Sequence, residues 1–169
     1  MSISLYDFSI PALTRGLANL SGLLDKAEAH AAAKKYDPAV LAQARLFPDM
    51  HPLLRQVQIT CDTAKGAAAR LAGVDVPKHE DTEATFADLK ARVAKTADFV
   101  KSISAAQLKD AENRSIELKF PNGTWKFTAV GYLTDFVLPN FYFHISMVYA
   151  LLRKNGIEIG KADYLGAIQ

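Results

Sequence analysis

The chain has 169 residues, half of them hydrophobic and 22% charged, with a formal net charge of +2. That length and apolar content suit one domain with a continuous core and exclude a disordered chain. Lysines and arginines are scattered and stand near acids, which leaves no concentrated basic face for nucleic acid.

Cys61 is the only cysteine, which excludes an intrachain disulfide and a cysteine-based zinc site. The start "MSISLYDFSIP" lacks the basic residues and long apolar run of a signal peptide. Residues 128–152 approach the apolarity of a membrane span, but Asp135, Pro139, Asn140, His144 and Ser146 interrupt them. The expectation is a single cytoplasmic domain over residues 1–169 with no membrane segment.

Ser9 and Pro11 read as the start of the first helix, a capping hydroxyl followed by a preset backbone angle. Leu13, Leu17, Leu20, Leu24 and Ala31 then recur at helical spacing, to about Lys35. "YDPAVLAQARLFPD" reads as a short helix between prolines. Pro52 opens a second long helix with Leu54, Val57, Cys61, Ala64, Ala68 and Leu71 on one side, and Gly73 ends it. Thr82 is the expected cap of a third, which buries Phe86, Leu89, Val93, Ala97, Val100 and Ile103.

The period then changes from helical to alternating. "SIELKF" sets Ile116, Leu118 and Phe120 against Glu117 and Lys119, and "TWKFT" resumes extended character. Asn122-Gly123 is the expected hairpin turn, and Trp125 and Phe127 share a face that covers the bundle. A fourth long helix runs from about Val130 to Asn155, bent near Pro139 and closed by Gly156. Four long helices with one inserted hairpin make an all-α bundle.

On the last helix Leu133, Val137, Asn140, His144, Val148 and Leu151 share one side, and Asp135, Pro139, Tyr142, Ser146, Tyr149 and Arg153 the other. The first stripe is apolar apart from Asn140 and His144, so both are expected to point inward. Buried polar groups need partners, at roughly 1–3 kcal/mol each when left without one. A partner within the core is one solution; a ligand or metal in a pocket is the other.

The stretch "LPNFYFHISMVYALLRKNGIEIGKADYLG" resembles the C-terminal pattern of a bacterial family known only as a domain of unknown function (DUF). "PDMHPLLRQVQITCDTAKGAAARLAG" and "EDTEATFADLKARVAKTADFV" resemble it too, so the likeness spans nearly the whole chain. That family is grouped with the DinB/YfiT-like bundles, which implies an up-down-down-up four-helix bundle with a hairpin between helices 3 and 4. The resemblance also implies a divalent metal, zinc or nickel, held by one His on the second helix and a His-x-x-x-His pair on the fourth. Some members are thiol-dependent transferases or isomerases acting on small molecules.

By position, His144 matches the second His of that pair, and Asn140 stands where the first would be. Asn is a poor replacement for imidazole at such a site. His51 is the one substitute for the second-helix ligand. His144 lies 11 residues before Asn155, about 16 Å down the bundle at 1.5 Å per residue, whereas His51 precedes the second helix at that end. On that geometry Gln58 and Cys61 are closer in depth. The pocket candidates are therefore Asn140, His144, Gln58, Cys61 and Glu28, the last a carboxylate on the apolar face of the first helix. His30 and His79 read as solvated.

Two functions are weighed beside a purely structural interaction module. One is a small-molecule-binding bundle with a degenerate metal site, needing no cofactor and working as a homodimer, with Tyr142, Tyr149 and Arg153 as candidates for its interface. The other is a metal-dependent transferase or isomerase with a modified ligand set, His144 with Asn140 and His51.

Overall fold

The first helix begins earlier than its proline suggests. The computed structural model describes residues 4–167, and in it α1 runs from Leu5 to Lys34. Ser4 accepts from the Asp7 backbone N–H, while the Asp7 carboxylate accepts from the Ser4 N–H and hydroxyl. This reciprocal box satisfies two otherwise orphaned donors, which a lone Ser9 does not. Ser9 lies inside the helix and donates its hydroxyl to the Leu5 carbonyl at 2.7 Å. Pro11 sits in the second turn, where it removes one ladder hydrogen bond. Leu13, Leu17, Leu20, Leu24 and Ala31 are all buried, as their spacing predicts.

A short α2 (Ala39–Ala42) leads to α3 (Leu53–Ala72), which Gly73 closes at φ 71°. Thr85, not Thr82, caps α4 (Phe86–Ser102), because only Thr85 has an acid, Asp88, three residues on to complete the box. Strands β1 (Ser115–Phe120) and β2 (Gly123–Thr128) pair antiparallel with Phe120 opposite Gly123. The turn is thus Pro121-Asn122, one residue earlier than expected. Gly123 opens β2 at φ 144°, a conformation that residues with a Cβ rarely adopt.

The fourth long helix is not regular. A first turn, α5 (Ala129–Gly131), passes through a π-helical stretch over Tyr132–Val137 into α6 (Leu138–Lys154). Pro139 has no N–H to give the Asp135 carbonyl, so a rung is missing there and the preceding turn widens. A last short helix, α7 (Lys161–Leu165), follows.

In cross-section α1 touches α4, α4 touches α3, α3 touches α6, and α6 touches α1. The pairs Gln58–Glu83 and Asp62–Arg92 ascend together, so α3 and α4 run the same way. Gln56–His144 and Thr63–Asn140 run oppositely, so α6 is antiparallel to α3. That is the up-down-down-up bundle, with the hairpin between the third and fourth long helices. Gly16 allows α6 its close approach to α1, since a Cβ there would overlap the Phe141 ring.

Enclosure is most complete around α3. Besides Leu53, Val57, Cys61 and Ala64, its polar residues Gln56, Gln58, Thr60, Thr63 and Lys65 are buried. The expected single stripe is too narrow, and Leu54 is only half-buried. The outward stripe of α6 also differs from expectation. Tyr149 packs edge-on against Tyr164 of α7 with ring centroids 5.9 Å apart, and Ser146 shares a 3.0 Å hydrogen bond with the Tyr164 hydroxyl. Lys26 holds Asp163 at 2.6 Å, fastening α7 to α1 over that face. Among the described residues no helix is long and apolar enough to cross a membrane.

Candidate functional site

His144 is only 8% exposed, and its Nδ1 lies 2.6 Å from Gln56 Oε1. The Gln56 amide nitrogen donates to the His51 carbonyl at 3.2 Å, so the amide oxygen faces the imidazole. Nδ1 therefore carries the hydrogen and donates, and Nε2 of the neutral ring keeps its lone pair. Burial, aided by positive charge on His51 and Arg55, pushes His144 down to about 4. The ring is neutral at pH 7. One turn earlier Asn140, half-buried, donates its amide to Thr63 Oγ1 at 3.0 Å.

The depth expected from the helix ends is corrected by these bonds. Gln56, not Gln58 or Cys61, stands level with His144. The last turns of α6 overhang the start of α3, and the segment between α2 and α3 folds over them. Lys154 Nζ donates to the Arg45 carbonyl at 2.9 Å, and the Leu53 N–H to the Ala44 carbonyl at 3.0 Å. His51 is thus near enough for its charge to act on His144, although its own side chain is exposed.

A histidine-rich metal site does not assemble from these groups. Among the described residues no three or more of His, Cys, Asp and Glu are placed to hold a metal ion. The donors present are one imidazole nitrogen and an amide already bonded to Thr63, which do not fit a closed set of three or four ligands.

The other candidates lie elsewhere. Gln58 donates to Glu83 at 2.8 Å and accepts from Arg55 at 3.0 Å. Cys61 is fully buried, and burial pushes its thiol up to about 12, so no thiolate forms at neutral pH. Glu28 pairs with Lys90 at 2.8 Å across the seam between α1 and α4, with Asp25 joining the same lysine at 2.6 Å.

Arg92 is the functional-looking residue that pattern reading passed over. Its side chain is 2% exposed and bonds Asp62 at 2.8 Å and both Asp81 and Glu83 at 2.9 Å. Lys65, also buried, bonds the same Asp62 oxygen at 2.8 Å. Burial works against the ionised Glu83, but hydrogen bonds from Arg92 and Gln58 outweigh it and hold the carboxyl below its usual range. This hub fastens the 73–85 link onto α3 and α4. The readable signal was Arg92 itself, an arginine set between Leu89 and Val93 in a buried stripe. His79, expected to be solvated, is half-buried in that link with Nδ1 enclosed and unpartnered among the described residues.

Asn140 and Thr63 open onto a cleft of about 250 Å³ between α3, the π-helical turn and β1, with Arg70, Tyr132, Phe136 and Phe120 among its walls. Arg70 donates to the Tyr132 hydroxyl at 3.3 Å and has no acidic partner among the described residues. Tyr132 and Phe136 stack at 5.9 Å with 14° between their planes. His144 does not line this cleft. A larger hollow of about 440 Å³ lies beside the 73–85 link; of its cations Lys78 pairs with Glu80 at 2.6 Å and Arg92 with Glu83 at 2.9 Å, while Lys95 has no acidic partner among the described residues.

Residues 5–165 match a family described as a domain of unknown function, DUF1993. The chain is also similar to a DinB family member protein from Shewanella denitrificans of known structure. Identity is 42%, the TM-score is 0.89, and the match covers 97% of this chain and 93% of that one. No curated protein matches.

Acid must charge a ring that the fold keeps neutral. Unfolded, His144 takes its proton near the ordinary 6.5; folded, only near 4. Its contribution to stability is therefore fully present above pH 6.5 and lost as pH falls toward 4. Between pH 6.5 and pH 5 the loss is on the order of 2 kcal/mol. Urea unfolding across that window should show the wild-type chain losing stability more steeply than His144→Gln. Equal pH dependence in the two would contradict the assignment.

Proposed function

The chain belongs to the DUF1993 family, and on that premise we propose that it is a small-molecule-binding bundle whose relatives' metal position has become a polar pair. The observation behind this reading is Asn140. Its amide is bonded to Thr63 at the mouth of a cleft that also holds a cation without an acid, Arg70. Pockets that bind small molecules combine apolar walls with convergent polar groups, and this cleft sets Leu118, Phe120, Tyr132 and Phe136 beside Thr63, Arg70 and Asn140. We propose a cytoplasmic protein that binds neither nucleic acid nor membrane; the lone buried Cys61 suits a reducing compartment.

A second reading, a thiol transferase or isomerase dependent on zinc or nickel, has one observation in its favour. His144 presents an Nε2 lone pair with Nδ1 anchored to a carbonyl, which is how a metal-bound imidazole is oriented. The donor set weighs against it, because His144 alone keeps the expected type and place.

A thermal-shift screen of untagged protein against neutral, cationic and anionic small molecules, and separately against zinc and nickel, divides the two readings. We expect an organic stabiliser whose effect disappears in Asn140→Leu. Stabilisation confined to zinc or nickel, and lost in His144→Ala, would replace the binding-bundle reading with the transferase.

We further propose that the protein works as a homodimer. With α7 over the Tyr149 side, the supporting surface shifts to Phe143 and Tyr142, which are 51% and 38% exposed on α6. Exposed aromatics are enriched in interfaces. Light scattering at micromolar concentration should return twice the chain mass of 18.5 kDa, and Phe143→Ser should halve it. A wild-type monomer throughout that range would remove the dimer.

A further inference from the structure

We infer that the cleft under the hairpin selects a small, flat carboxylate with an apolar body, and that Arg70 is its anchor. This rests on the small-molecule reading above and names the chemical class that the same site selects.

The lining of the cleft carries two cations, Arg70 and Lys119, and two acids. Its two acids are already held: Asp62 by Arg92 and Lys65, each at 2.8 Å, and Glu117 by Lys126 at 2.9 Å. Arg70 and Lys119, which also line it, have no acidic partner among the described residues. An arginine is the side chain suited to grip a carboxylate, because its planar fork offers parallel N–H bonds. Among the described residues only one of those donors is engaged, by the Tyr132 hydroxyl at 3.3 Å.

The fold makes room for this guanidinium. Gly66 lies in the middle of α3, one turn before Arg70, and a Cβ on it would overlap Arg70 Nη1. Glycine is a poor helix former in such a place. Here it lets the arginine lie back along its own helix with its head at the cleft.

The remainder of the cleft is built for an apolar ligand body. Phe120 and Phe136 form a wall with ring centroids 6.4 Å apart, and Trp125 backs them at 5.0 and 6.2 Å. Trp125 is half-exposed, so the tip of this aromatic face is not covered by the bundle. Thr63 and Asn140 add a polar edge. A cleft of about 250 Å³ is smaller than a drug-sized site, so the ligand is on the order of ten non-hydrogen atoms. A single aromatic ring with a short acid chain meets those conditions.

Trp125 is the only tryptophan, so its emission reports on the cleft wall directly. The full chain is titrated with phenylpropionate and, in parallel, with its neutral amide. The carboxylate should give a saturable change in emission, with the amide weaker by about tenfold or more. Arg70→Gln should bring the carboxylate down to the level of the amide. Gly66→Ala keeps the charge and favours the helix, yet displaces the guanidinium, so it should weaken the carboxylate without lowering the melting temperature. Equal binding of acid and amide, or unchanged affinity in either variant, overturns the inference and leaves the small-molecule reading standing. Binding of neither compound also overturns the inference; the wider reading falls only if the mixed screen finds no stabiliser.

Discussion

The burial of polar side chains on α3 is the constraint on which the rest of this molecule depends. Leu53, Val57, Cys61 and Leu71 would bury well in many bundles, since hydrophobic contact has little direction. Gln56, Gln58, Thr63 and Lys65 are different, and with them the half-buried Asp62. Left without partners, buried groups of this kind cost about 1–3 kcal/mol each. Gln56 takes His144, Thr63 takes Asn140, Gln58 takes Glu83, and Asp62 takes Arg92. Those bonds set the depth of α6 and of the start of α4 against α3, which apolar packing alone, having little direction, would leave looser. They also explain why a long link can cross from α3 to a parallel α4 and remain in place, because Arg92 bonds Asp81 and Glu83 within it.

The same constraint bears on what the Asn140–His144 face does. Gln56 holds His144 in one tautomer through Nδ1, and Thr63 holds Asn140 through its amide nitrogen, so each group has one protein partner. An imidazole at position 140 would offer a second strong metal donor; an amide there offers a hydrogen bond to a hydroxyl. On the reading proposed above, that exchange favours polar recognition over coordination, beside the cleft that holds Arg70. Cys61 takes no part, with its thiol buried and fully protonated at neutral pH.

Much of the fold was legible because periodicity reports it. The leucines of α1, the stripe of α4 and the alternation of β1 each pointed to the right element type. The starts of α1 and α4 were misplaced where a capping box, Ser4 with Asp7 and Thr85 with Asp88, outcompeted a lone hydroxyl. The inward face of α6 was legible and correctly included His144, but its level on α3 was not. Sequence does not reveal how far one helix overhangs another, and the loop that caps the α6 overhang sits between α2 and α3. The cleft was hidden for a similar reason. It joins Thr63 and Arg70 of α3, Leu118 of β1 and Asn140 of α6, residues that only the folded chain brings together. Arg92 was visible as an arginine within an apolar stripe, yet its acids lie in a link with no periodicity to read.

The central claim is that His144 is held by Gln56 as a neutral hydrogen-bonding group, not as a metal ligand. Long-range nitrogen–proton NMR of its imidazole, assigned with His144→Gln and recorded at pH 7 with and without one equivalent of zinc, tests this most directly. The account predicts a neutral ring protonated at Nδ1, with a bare Nε2 whose resonance does not move when zinc is added. A charged ring at pH 7, or an Nε2 resonance displaced by stoichiometric zinc, would contradict it.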